Sequence, residues 1–134
     1  MESKELMIGD KVMVKVLSQI PDTYVLHTWT ANDYSRDIQV KPITLTPEIL
    51  EKNGFYYRNT QWYYKRFGSY VCFDIAISLI YREIEVSKVC GAGTDCEEVE
   101  YETTIAFGND ICVSTLQHVL RLYGLDELAD NFKV

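Results

Sequence analysis

The residues best suited to chemistry by type and spacing begin with the run Tyr56–Tyr70, YYRNTQWYYKRFGSY, which holds Arg58, Lys65 and Arg66 and no acid. Trp62, Tyr63 and Tyr64 could stack on bases while the cations hold phosphates. The same residues suit a protein interface, where tyrosine offers a rigid apolar body and a polar tip. They equally suit an amphipathic hairpin with one aromatic face in the core. Strict alternation puts Trp62, Tyr64 and Arg66 on one face and Tyr63, Lys65 and Phe67 on the other, so each face mixes aromatic and cation. Tyr56, Tyr57, Arg58, Trp62, Tyr64 and Arg66 are therefore the expected partner-binding residues of this segment.

A second candidate is the acidic row Glu98, Glu100 and Glu102, with Asp95 and Glu97 nearby. Alternate carboxylates on a strand would face water together, where they could dock a basic partner or keep an exposed edge from pairing. Acid–base catalysis would need one of them buried with a raised pKa, and nothing in the sequence points to that. The third, CGAGTDC at Cys90–Cys96, has glycines that could bare backbone N–H groups to a phosphate. It lacks the Gly-Lys-Ser/Thr that completes a P-loop, and its cysteine spacing is not that of a zinc knuckle. A disulfide formed on oxidation is the alternative to two free thiols beside a loop. His27 and His118 are the only histidines, and no serine or cysteine sits in a nucleophile motif. Asp74, the one acid inside an apolar strand, reads as a hydrogen-bonded structural group, or as the first residue to test if it lines a pocket. No catalytic residue, metal site or cofactor is expected.

The elements that must position these groups are readable. Lys11–Ser18 and Tyr24–Thr30 read as paired strands, and Asn32–Asp37 as a loop. Ile38–Leu45 is extended around Pro42, as an edge strand would be. Thr46, Pro47 and Glu48 have the N-cap, first-position and dipole chemistry of a helix start. Asn53-Gly54 supplies its left-handed stop, with Phe55 folding back on Leu50. Tyr56–Phe67 is a hairpin turning at Asn59-Thr60. From Ser69 a long strand places Val71, Phe73, Ile75, Ile77, Leu79 and Tyr81 on one face. The phase of alternation slips after Tyr81, which predicts a β-bulge near Arg82. Glu98–Phe107 alternates again, with Glu98, Glu100 and Glu102 on its polar face. Ser114 and Gln117 read as a capping box for a helix over about 115–123, with Leu116, Val119, Leu120 and Tyr123 as its apolar stripe. That helix is expected to pack on the Val71–Tyr81 face, and one further helical turn is expected within Leu125–Phe132.

Three stretches occurring in order, IGDKV (Ile8–Val12), KPITLTPEILEKNGF (Lys41–Phe55) and STLQHVLRLYGLDEL (Ser114–Leu128), resemble a group of small proteins of gut Bacteroidetes phages, prophages and mobile elements. The resemblance implies a mobile-element setting in a bacterial cytoplasm, and carries over no catalytic or binding residue. With 134 residues the chain fits one domain, 1–134. No apolar run is long enough to span a bilayer, and the start has no secretory pattern. The net charge of −7 argues against nonspecific nucleic-acid binding by the whole surface. The expected object is an α+β protein with a mainly antiparallel, strongly curled sheet or small barrel of about six or seven strands and two short helices. The expected function is a non-enzymatic protein-interaction module acting on a host or phage protein. Single-stranded nucleic-acid binding through the Tyr56–Tyr70 hairpin is the alternative.

Overall fold

The structure, a computed structural model, describes residues 5–16, 23–36, 38–67, 71–91 and 93–134, with side chains at all of these except 16, 64–67, 71 and 101. The expected turn at Pro21-Asp22 and the break at Gly68-Ser69 lie outside the described residues. The fold is α+β and its sheets are antiparallel throughout. Among the described residues it has eight strands rather than six or seven. They form two separate sheets, neither closed into a barrel. The chain divides into two compact units, Met1–Leu45 with Cys112–Val134, and Thr46–Ile111. No described helix is long and apolar enough to cross a membrane.

The first unit is built on a three-stranded sheet of β1 (Lys11–Val16), β2 (Val25–Thr28) and β3 (Ile38–Lys41), with β1 in the centre. Alternation along β1 sends Val12 and Val14 inward to Leu6 and Trp29, with Ile38 and Val40 packed against them. The segment expected as a loop after β2 is a 3-10 helix, Ala31–Ser35, preceded by Thr30. Two helices complete this unit, α2 (Val113–Leu122) and α3 (Asp126–Asp130). Within the unit α2 lies against β1 and α3. It thus belongs to a different unit from the Val71–Tyr81 strand on which it was expected to pack. Its N-cap is Cys112 rather than Ser114, and Ser114 and Gln117 are buried inside the helix instead of forming a capping box.

The second unit opens with α1 (Pro47–Lys52). The Thr46 hydroxyl accepts from the Ile49 N–H, and Pro47 takes the first helical position where no donor is needed. At its end the Gly54 N–H donates to Glu51 and the Phe55 N–H to Leu50, the double bond of a Schellman stop. This requires Gly54 at φ +87°, and Phe55 and Leu50 are both buried as the accompanying clasp demands. A five-stranded meander follows: β4 (Tyr56–Arg58), β5 (Gln61–Phe67), β6 (Val71–Ser78), β7 (Glu83–Cys90) and β8 (Glu98–Ala106).

The β4–β5 turn is the two-residue Asn59-Thr60 pair, both at positive φ, the mirror-type turn whose twist suits a hairpin. β6 ends at Ser78, and the phase slip after Tyr81 is a turn, not a bulge. Ser78 pairs with Glu83 with the register intact, while Leu79–Arg82 reverse the chain and the Ser78 hydroxyl accepts from the Tyr81 N–H. A reversal and a bulge leave the same one-residue slip in the hydrophobic pattern, so alternation alone cannot separate them. In consequence Ile75 and Ile77 are buried as expected, Phe73 and Leu79 are half-buried, and Tyr81 is 74% exposed.

Gly54→Val should lower stability by about 1–2 kcal/mol, because a β-branched residue is strained at that φ. An unchanged thermal midpoint would contradict the left-handed stop. Leu120, fully buried on α2, should cost about 2–5 kcal/mol on replacement by alanine. A loss under about 1 kcal/mol, read by chemical denaturation, would make α2 peripheral to its unit.

Candidate functional site

Register assigns every residue of the five-stranded sheet to one of two faces. Tyr57, Trp62, Ile77, Ile84 and Ile105 form one cross-strand row, with Ile75 and Val86 beside it. Tyr56, Tyr63, Ala76, Glu85 and Thr104 form a row on the opposite face, with Asp74, Ser87 and Glu102 beside it. The first face is core. Trp62 is only 7% exposed, so it cannot serve as an open stacking platform. Tyr57 rests against it, ring centroids 5.2 Å apart, and stays 59% exposed at the edge.

On this side a groove of about 470 Å³ runs between α1, the hairpin and the β6–β7 turn. Pro47, Glu51, Tyr57, Thr60, Trp62, Leu79 and Ile80 line it, and Glu51 is its one charged group. Ile80 is 75% exposed at its rim. The roles of Leu79 and Ile80 were missed because the apolar alternation of the buried strand runs on through Leu79 and hides that the strand ends at Ser78. The sequence signal that could have found them is the serine before them, whose hydroxyl can close a turn.

On the opposite face Tyr56 stacks on Tyr63 at 5.9 Å. A smaller depression of about 190 Å³ is formed by Tyr56, Arg58, Asn59 and Tyr63. The structure thus brings Tyr56 and Arg58 together on one face and places Tyr57 and Trp62 on the other. The side chains of Tyr64 and Arg66 lie outside the described residues. Between the pairing of Tyr64 with Ile75 and that of Phe67 with Phe73, β5 advances three residues and β6 two, an irregularity that breaks the strict alternation expected there.

The acidic row does not share a face. An irregularity in β8 sets Tyr101 opposite Lys88 and Val99 opposite Val89, leaving Glu100 as the extra residue of a bulge. Glu98 pairs with Cys90, and the Glu100 carboxylate meets Lys88 Nζ at 3.2 Å and accepts from Cys90 Sγ at 3.0 Å. The two hydrogen bonds hold the Glu100 carboxyl below its usual range. The same bond to Glu100, with burial and the negative charge behind it, raises the Cys90 thiol. Glu102 goes to the other face, diagonal to Glu85. A hydrogen bond between these two carboxyls, then burial and the charges of Glu102 and Glu83, push Glu85 up to about 7. The sequence offered no sign of this pair, because Glu85 and Glu102 are joined only by strand pairing. Asp74 is half-buried on the same face, outside both depressions. Cys72, Cys90, Cys96 and Cys112 are thiols and none is joined in a disulfide. Among the described residues no group of three or more His, Cys, Asp or Glu side chains could hold a metal ion.

The strongest polar clusters lie in the first unit and read as structural. Asp10 is fully buried. It accepts from the Met7 N–H at 2.8 Å and from Arg121 Nη1 at 2.6 Å, and it pairs with His118 Nε2 at 2.5 Å. Burial works against its ionisation, but the bonds from His118, the Met7 N–H and Arg121 outweigh it and hold the carboxyl below its usual range. His118 is committed to this contact. Gln117 bridges the same region, accepting from the Lys11 N–H and donating to the Gly9 and Ala129 carbonyls. Asp33 repeats the scheme. Burial opposes its charge, while His27 Nε2 at 2.7 Å, the Thr30 N–H and hydroxyl, and Arg36 outweigh it. Among the described residues neither Asp–His pair shows a hydrogen-bonded hydroxyl or thiol nucleophile on its histidine.

These shifts carry opposite signs for stability. Asp10 and Asp33, both lowered, stabilise the fold above their ordinary titration near 3.8 and lose that contribution as pH falls. Glu85, raised, stabilises below about 4.5, and its contribution is lost as pH rises through about 7. Glu85→Gln should therefore match the parent protein near pH 4.5 and exceed it in denaturant midpoint above pH 7. A gap of the same size at both pH values would rule out the shared proton. Comparison of the chain with protein-family models, with curated proteins and with solved structures finds no match.

Proposed function

We propose that this chain is a non-enzymatic protein-interaction module, of phage or mobile-element origin, that engages a protein of its bacterial host or of the element itself. The observation that supports this reading is the groove beside the aromatic hairpin. Its lining is almost wholly apolar, its floor is Trp62, and its rim is the exposed Tyr57 and Ile80, with exposed Tyr81 next along the turn. An apolar patch of this kind on a folded surface marks an interaction site, and aromatic anchors around a pocket are where binding energy concentrates. An extended segment of a partner, with one or two apolar side chains entering the groove, fits this surface.

The hairpin serves nucleic acid less well. Among the described residues Tyr56 is the one clearly exposed aromatic on the Arg58 face, and Tyr63 is half-buried under it. That face also bears Asp74, Glu85 and Glu102, whose charge opposes phosphate.

The reading is tested by capture from a Bacteroidetes lysate with the tagged chain, followed by direct binding to the protein recovered. Tyr57→Asp and Ile80→Asp, both at exposed positions, should each weaken that binding by tenfold or more without lowering the thermal midpoint, whereas Arg58→Glu should leave it within a few fold. Equal binding by the groove variants would remove the groove as the site. Failure to recover any specific partner would count against the module itself.

A further inference from the structure

Two polar groups of the groove beside the hairpin have no partner among the described residues. Trp62, buried in its wall, carries an indole N–H without an acceptor. Glu51, exposed near the end of α1, is the one charged side chain of the lining. Its carboxylate has neither an ion pair nor a hydrogen bond among the described residues. The rest of the lining is Pro47, Tyr57 tilted against Trp62, Thr60, Leu79 and Ile80. All of these residues belong to the second unit.

We propose that the groove takes a proline-rich segment in the polyproline II conformation, carrying one Lys or Arg placed to meet Glu51. This rests on the reading of the groove as an interface and specifies its occupant. Charge sign is the first argument. When an apolar occupant displaces water, a carboxylate without a counter-charge favours a cation beside it and repels an acid. Backbone accounting is the second. Once water is displaced the Trp62 N–H needs an acceptor, or its desolvation goes uncompensated. A helix has its interior carbonyls closed by its own hydrogen bonds. A strand added to the sheet here would have to pair with β4, an edge only three residues long. A polyproline II segment has no internal hydrogen bonds, so its carbonyls are free to accept. Each proline also removes an N–H that an apolar lining would leave unpaired. The lining is the third argument. Proline rings dock on aromatic walls such as Tyr57 and Trp62, and the segment is extended before it binds, which lowers the cost of ordering it.

The test is selection of random peptides displayed on phage against the immobilised full chain, with the Tyr57→Asp variant as counter-selection. Enriched peptides should share a Lys or Arg and prolines recurring at intervals of about three, the repeat of polyproline II. A labelled synthetic peptide of that consensus is then titrated with the protein by fluorescence anisotropy. Glu51→Gln should weaken binding roughly two- to fivefold, the worth of a partly exposed ion pair. Replacing the peptide's cation by glutamine should cost the same factor, with no further loss when the two changes are combined. Glu48→Gln, one turn earlier on α1 and outside the lining, should leave binding unchanged. Groove-dependent peptides that lack proline, or that carry an acid in place of the cation, would overturn the proposal and leave the groove as an interface. Equal losses with Glu48→Gln and Glu51→Gln would overturn the pairing with Glu51. Recovery of no peptide whose binding Tyr57→Asp abolishes would overturn both the proposal and the interface on which it rests. The consensus is selected on the unaltered protein, so it decides the matter even if a variant folds poorly.

Discussion

The buried carboxylate of Asp10 is the constraint around which the first unit is organised. A carboxylate removed from water must find donors for its oxygens or remain protonated. Here the donors come from residues 3, 108 and 111 positions away. Arg121, which supplies the most distant of them, reaches on to Asp130 of α3. One ionised group therefore fixes the turn that leads into β1, the rotation of α2 and the placement of α3. The geometry also explains Gly9 beside it. A Cβ there would stand 2.8 Å from Arg121 Nη2 and 3.0 Å from the Asp130 carboxylate, at a φ of +95° that side chains rarely adopt. The Gly9-Asp10 pair is thus a packing motif, and breaking the buried ion pair of Asp10 would strand a charge.

What the sequence made legible was local. The start and stop of α1 depend on residues within a few positions of each other, and every one of Thr46, Pro47, Gly54 and Phe55 has the role its type predicts. The hairpin turn at Asn59-Thr60 and the partnership of β1 with β2 were legible for the same reason. The failures come where two distant segments decide. Gln117 has the spacing of a capping partner for Ser114, yet its amide is taken by Gly9, Lys11 and Ala129. His118 and Glu85 acquire their roles only through Asp10 and Glu102. The acidic row of β8 looked like one face because a bulge leaves no mark on composition. Glu100 is the extra residue, and its displacement sends Glu98 and Glu102 to opposite sides.

That bulge suits the position of β8 at the edge of its sheet. An open edge nine residues long presents unpaired backbone groups to any other strand. A bulged residue twists the edge away from flat pairing, and carboxylates on both of its sides would face carboxylates in a second copy. The opposite edge, β4, is three residues long and bears Arg58. Each edge is blunted by a different means, which leaves the apolar groove between α1 and the hairpin as the sticky part of the unit's surface.

The second unit is a continuous stretch inserted into the first, and the insertion is closed at its root. Thr44 bridges to Cys112 and the Val113 N–H donates to the Ile43 carbonyl at 2.8 Å, so the chain leaves and re-enters side by side. This arrangement imposes an order on biosynthesis. The meander can close as soon as it has cleared the ribosome, since all its pairings are between neighbours in sequence. The first unit, although its strands are made earliest, must wait with Asp10 unneutralised and Val12, Val14 and Trp29 incompletely covered until residues 113–130 have been translated. The nascent chain therefore carries a finished tail behind an unfinished head. The half-made first unit, rather than the meander, is the part a chaperone would have cause to hold.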